Sequence, residues 1–173
     1  MEYWDIYDKY RNKTGRRALR GSGEKLKDGE YRIVVFICVF NSLGQMLIQQ
    51  RAADKDGSPN KWDFTAAGSL TAGEESGLGA SRELLEEVGI DIDFTDKLPH
   101  FTINANEVFA DFYLHKINAE SIPLKLQKEE VQDAKWASLE EILKMIDDGS
   151  FVSRKKGIVQ LCFELVEKPS TYI

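Results

Sequence analysis

The chain has 173 residues and a mass of 19.7 kDa, enough for one domain around one main core and too short for two ordinary domains with separate cores. Hydrophobic residues at 42% and charged residues at 30% sit near globular averages, which excludes a disordered chain, a collagen-like fibre and a disulfide scaffold. The formal net charge of −6 argues against nucleic acid as a partner for the whole surface, although it leaves room for a local basic patch.

In chain order, Tyr3 to Tyr7 carries β-favouring aromatics and predicts a short edge strand. The opening Met1 to Asp5 lacks a basic segment followed by an apolar stretch and a cleavage site, so the expected location is cytoplasmic. From Lys9 to Lys27, eight basic residues (Lys9, Arg11, Lys13, Arg16, Arg17, Arg20, Lys25, Lys27) face one acid, Glu24, with Gly15, Gly21 and Gly23 between them. This predicts an irregular segment within an N-terminal extension over residues 1–30. Tyr31 to Phe40 is β-branched and aromatic, as in a strand buried on both faces. Its longest strictly apolar run, Ile33 to Phe40, is eight residues, against the roughly 20 needed to cross a bilayer, so no membrane partner is expected.

Asn41 to Gly44 predicts a turn and Gln45 to Gln50 a second strand, together a hairpin. Residues 52–61 read as a polar loop, and Trp62 to Gly68 as a short strand. Glu75 to Val88 reads as a helix stopped by Gly89. Val108 to Ile117 is a further strand. A helix starts after Ser138, with Glu141 as capping-box partner, and runs to about Asp148; a last helix spans Ser153 to about Glu167, closing a domain over 31–167 before a tail at 168–173. Cys38 and Cys162, among apolar neighbours, read as reduced core thiols. With only His100 and His115 available, any metal must be held by oxygen. The elements predict an α/β or α+β fold with a mixed sheet.

The informative stretch is Gly68-Ser-Leu-Thr-Ala-Gly-Glu74, continuing to Arg82-Glu83-Leu-Leu-Glu86-Glu87-Val88-Gly89-Ile90. On a helix, with Glu83 as origin, Glu87 falls near 40° and Glu86 near 300°, so three carboxylates share roughly a 100° arc. Leu78, Leu84, Leu85 and Val88 fall on the far side as the stripe that should dock on a sheet. Such an acid face is either solvated and relieved by Arg82, or a site where oxygen ligands meet a hard divalent cation and its phosphate substrate.

The spacing Gly-x5-Glu-x7-Arg-Glu-apolar-x-Glu-Glu-x-Gly-apolar resembles the signature of the Nudix hydrolase family at every defined position, and a chance match in this chain is on the order of 10⁻⁷. Leu47-Ile-Gln-Gln-Arg51, Trp62 and Ala134 to Ile142 resemble the family's flanking pattern. The resemblance implies an α/β/α sandwich around a mixed sheet, binding Mg²⁺ or Mn²⁺. It implies Glu83 and Glu87 as principal metal ligands, Glu86 as a third ligand or one acting through water, and the Ala67 carbonyl completing the set. Gly68, Glu74 and Arg82 would support the cluster.

The implied activity is hydrolysis of a diphosphate bond in a nucleoside diphosphate linked to another moiety, with Glu86, Glu87 and Glu130 as catalytic candidates. The base would be Glu130 or its neighbour Glu129, with Glu86 the rival. Arg16, Arg17, Arg20, Arg51 and Trp62 are candidates for binding a small-molecule diphosphate. Trp62, Phe64, Phe109 and Tyr113 either stack on a base or belong to the core. Ala105 stands where ADP-ribose members often carry a Pro. Trp4 to Asp8 and Gly15 to Gly21 resemble the branch related to isopentenyl-diphosphate isomerase, but Trp62 to Ser69 holds neither the cysteine nor the histidine of those isomerases. A non-catalytic nucleotide-binding regulatory domain is the alternative function, with isomerase a lesser one. The sequence leaves a homodimer open.

Overall fold

The computed structural model describes residues 1–55 and 57–167; the tail at 168–173 lies outside them. The chain runs β1 (Tyr3–Tyr7), β2 (Lys13–Leu19), β3 (Arg32–Phe40), β4 (Met46–Arg51), β5 (Trp62–Asp63), β6 (Ala66–Ser69), α1 (Ser76–Val88), β7 (Phe101–Ala105), β8 (Val108–Lys116), β9 (Val131–Ala137), α2 (Leu139–Asp147) and α3 (Lys156–Glu167).

Alternation along β3 builds a layer on each side of the sheet. Ile33, Val35, Ile37 and Val39 pack with Leu47 and with Ala80, Leu84 and Val88 of α1. Phe36, Cys38 and Phe40 pack with Met46, Ile48, Ile142 of α2, and Val159 and Cys162 of α3. The result is the expected α/β/α sandwich, and both cysteines are free and buried in it. The sheet is mixed: β3 runs parallel to β8 and antiparallel to β6, while β8 pairs antiparallel with β7. The β3–β4 hairpin closes at Gly44, whose φ is +74°. It pairs only at Phe40 and Met46 before β4 diverges to lie between β9 and β5. Among the described residues no helix is long and apolar enough to cross a membrane.

Local signals hold where capping chemistry is specific. Ser138 Oγ accepts from the Glu141 amide at 3.2 Å and Glu141 Oε2 from the Ser138 amide at 2.7 Å, the expected capping box. Gly89 takes the left-handed conformation that ends α1, with φ +75°.

The basic segment is not irregular throughout. Lys13–Leu19 pairs antiparallel with β1, and its charges find partners that are mostly outside the segment: Arg16 with Glu24 and Glu30, Arg17 with Asp5, Arg20 with Glu2. This hairpin packs on the domain through Tyr7 and Tyr31, which exchange backbone hydrogen bonds at 2.8 and 2.9 Å, and through the Ala72 amide, which donates to Tyr3 O at 2.7 Å. Ile6 is fully buried. The Trp62 to Gly68 strand is two short ones, because residues between them turn; β7 and β9 are additional; and α3 starts at Lys156 rather than Ser153. The docking stripe of α1 is also corrected. Leu84 and Val88 are fully buried, but Leu78 and Leu85 stand about half exposed.

Candidate functional site

The rotation of α1 explains that correction. A Cβ on Gly77 would stand 2.1 Å from Phe94 O, and one on Gly79 would stand 2.2 Å from Leu70 Cδ2. These bare positions let the start of the helix approach neighbouring backbone and side chains closely. The buried face runs through Gly77, Ala80, Glu83, Leu84, Glu87 and Val88, so two glutamates lie along its seam instead of opposite the core. Glu83 is 8% and Glu87 6% exposed, whereas the Glu86 side chain is half exposed. The carboxylate of Glu83 occupies the space where Gly68 has no side chain; a Cβ there would sit 2.0 Å from Glu83 Cδ.

Arg82 ties the acids together. Its Nε and Nη2 donate to the two oxygens of Glu74 at 2.8 and 2.9 Å, and its Nη1 donates to Glu83 Oε1 at 2.9 Å and Glu86 Oε2 at 3.1 Å. Burial alone would raise the Glu74 carboxyl, but hydrogen bonds from Arg82 and the Thr71 amide hold it below its ordinary value. Burial raises Glu83 despite Arg82 beside it. Burial first and the adjacent charge of Glu83 second push Glu87 up to about 8. Its Oε2 accepts from Gln49 Nε2 at 2.7 Å and from the Ala67 amide at 3.2 Å.

These acids form part of the lining of a cavity of about 410 Å³. Ala67, Gly68, Glu83, Glu86 and Glu87 share it with Arg20, Arg51 and Lys55, and Glu130 forms an ion pair with Lys55 within it. The donor set suits a hard divalent cation: carboxylate oxygens from one rigid helix, two of the three side chains largely buried. Among the described residues no three acids are already converged into a cation cage. Arg82 holds one oxygen of each of Glu83 and Glu86, which leaves the second oxygen of each carboxylate outside these bonds.

The remaining candidates divide. Arg20, Arg51 and Glu130 line the cavity, whereas Arg16, Arg17, Trp62 and Glu129 do not. Arg16 and Arg17 are taken up by the acids around the hairpin, and Trp62 lies under Lys135, with its ring centroid 4.8 Å from Nζ. Phe64, Phe109 and Tyr113 are core residues, 0%, 4% and 1% exposed. Gln49 and Lys55 are the residues that motif reasoning passed over. Gln49 carries a readable signal, since it shares the α1-facing side of β4 with Leu47, where strand alternation leads one to expect an apolar side chain.

A family model described as the NUDIX domain matches residues 30–159. An uncharacterised Nudix hydrolase of Listeria monocytogenes is 42% identical over 152 residues, 88% of this chain and 89% of that protein. An isopentenyl-diphosphate Delta-isomerase of Salmonella arizonae is 32% identical over 123 residues, 65% of each chain. A crystal structure of a Deinococcus radiodurans protein superposes with a TM-score of 0.77 at 21% identity, covering 93% of this chain and 99% of that one.

Proposed function

The chain belongs to the Nudix hydrolase family, whose members generally hydrolyse pyrophosphate bonds with divalent cations, and from that premise we propose that it cleaves a diphosphate bond in a nucleoside diphosphate linked to another moiety. The observation that carries this reading is the shared cavity of Glu83, Glu86 and Glu87, with Arg82 bridging the first two. Glu83, Glu87, Glu86 and the Ala67 carbonyl are the residues to hold Mg²⁺ or Mn²⁺. Bound there, the cation supplies charge neutralisation on phosphate oxygens and acidifies water.

The chain's own groups do the rest. Arg20, Arg51 and Lys55 orient the diphosphate by charge-assisted hydrogen bonds. Glu130 accepts the proton of the water that attacks phosphorus, once Lys55 turns from it to the incoming phosphate; Glu86 is the alternative base. Glu74 and Arg82 hold the acids in register. The isomerase likeness does not carry to isomerisation, because the segment after Trp62 offers no thiol or imidazole and its Asp63 is paired with Arg154 at 2.8 Å.

The test is a Mg²⁺-dependent screen over nucleotide sugars, dinucleotides, nucleoside triphosphates and isoprenoid diphosphates, with phosphorus NMR identifying the bond cut and Glu87→Gln as control. Cleavage abolished in the variant is the expected result. Saturable cation binding without turnover of any substrate would favour the regulatory-domain reading instead.

A further inference from the structure

We propose that Gln49 is a positioning residue for the cation site: it clamps one oxygen of Glu87 so that the other is presented to the cation. The inference rests on the reading of Glu87 as a ligand. Gln49 lies on β4 and is 3% exposed, outside the cavity lining, so its effect on chemistry must pass through Glu87. Its Nε2 donates to Glu87 Oε2 at 2.7 Å, and the Ala67 amide donates to that same oxygen at 3.2 Å. Oε1 takes neither donor. Two donors converging from different strands fix both the rotation and the depth of the carboxylate, which a single bond would leave free to swing.

The second observation is the other end of the Gln49 amide. Its Oε1 is buried with no hydrogen-bond partner among the described residues, and an unpaired buried amide oxygen destabilises the folded state. Leu47, on the same side of β4, packs in the core under α1, so an apolar side chain of similar length at position 49 would suit the fold better. A purely structural residue would relieve this strain when replaced; a positioning residue would trade away function for the relief.

The experiment separates these. Gln49→Met keeps length and burial while removing the donor to Glu87 and the orphan oxygen together. The metal-free proteins are compared by thermal denaturation, Mn²⁺ affinity is read by electron paramagnetic resonance on wild type, Gln49→Met and Glu87→Gln, and kcat and KM follow with the substrate found in the screen. The expected result is a melting temperature at or above wild type, Mn²⁺ affinity weakened by about 10- to 100-fold, and loss in kcat with KM little changed. Gln49→Asn, which keeps the amide but draws it back by one methylene, provides the same readout if the Met variant does not fold, and is expected to weaken Mn²⁺ binding as well. Mn²⁺ affinity within twofold of wild type in the folded Gln49 variant, while Glu87→Gln weakens it at least tenfold, overturns the role of Gln49 alone. Unchanged affinity in Glu87→Gln overturns the cation-site reading beneath it.

Discussion

Two buried carboxylates in this molecule are treated in opposite ways. Asp111, fully buried on β8, has its charge met by Arg11 from the N-terminal hairpin, and its oxygens also accept from Thr102 Oγ1 at 2.7 Å and from Ser76 Oγ. Glu87, almost as buried, accepts from two neutral amides, those of Gln49 and Ala67, and sits beside another acid. The charge of Asp111 is met by a cation that ties the N-terminal hairpin to the domain, whereas that of Glu87 is met by amides, as the proposed role of Glu87 as a cation ligand requires. That difference marks a binding site more reliably than acidity alone, because both residues would count equally in a tally of buried charge.

The largest expected effect breaks the two apart by function. Glu87→Gln should lower turnover by several orders of magnitude and leave the fold intact, since the amide removes a buried charge. Asp111→Asn should do the reverse. It leaves Arg11 without its charge partner, at a cost of about 2–3 kcal/mol, below the value for fully buried pairs because the Arg11 side chain is 34% exposed. Thermal melts should drop by roughly 5–10 °C with kcat near wild type. If Asp111→Asn abolished turnover in a protein that still melts normally, the division between architectural and functional acids would be wrong.

The pH dependence of stability sharpens the same contrast. Glu87 rises from its ordinary 4.5 to about 8 on folding. Between those values the native state binds more protons than the unfolded chain, so stability falls as pH rises through the window, and Glu83, also raised, adds in the same direction. In the presence of a chelator, the melting temperature should decline from about pH 5 to about pH 8; saturating Mg²⁺ should remove most of the decline, and Glu87→Gln should flatten it without Mg²⁺. An equal slope in the variant would locate the titration elsewhere.

The next effect concerns why the motif begins with glycine. In Gly68→Ala the new methyl meets the end of a flexible side chain, the Glu83 carboxylate, which can swing aside at little expense to the fold. Stability should change by less than about 1 kcal/mol, while turnover and Mn²⁺ affinity fall by about 10- to 100-fold as Glu83 leaves its place. A variant that unfolds instead would make Gly68 a folding residue.

These contrasts also explain what could be read from the sequence. The strand Arg32–Phe40, the stop at Gly89 and the capping box at Ser138 rest on local periodicity or local hydrogen bonds, which one chain displays directly. The glutamate spacing identified the acids of α1. Their burial was hidden, because a helical wheel assigns the core face to the leucines and does not see that Gly77 and Gly79 permit a close approach which turns the helix. β2 and β9 were hidden for another reason: charged residues occupy them, and what holds them lies outside their own stretch, acids on either side for Arg16 and Arg17 of β2 and the much earlier strand β4 for β9. Gln49 reaches Glu87 across 38 residues, a contact that only the assembled sheet creates.

The smallest expected effect tests whether the hairpin belongs to the site. Within the basic segment, Arg20 alone lines the cavity, where its Nη1 donates to both oxygens of Glu2 at 3.0 and 2.9 Å and its side chain remains 47% exposed. A surface ion pair of that kind is weak and exchangeable, so a phosphate entering the cavity can take the guanidinium from Glu2. Arg20→Ala should then raise KM several-fold with kcat unchanged, and the difference should shrink at high ionic strength. Arg16, held by Glu24 and Glu30 away from the cavity, carries the same charge in the same basic segment, so Arg16→Ala reports what the hairpin contributes through long-range attraction alone. If both variants raise KM equally, the hairpin attracts substrate only by its field; a rise confined to Arg20→Ala makes it a wall of the site.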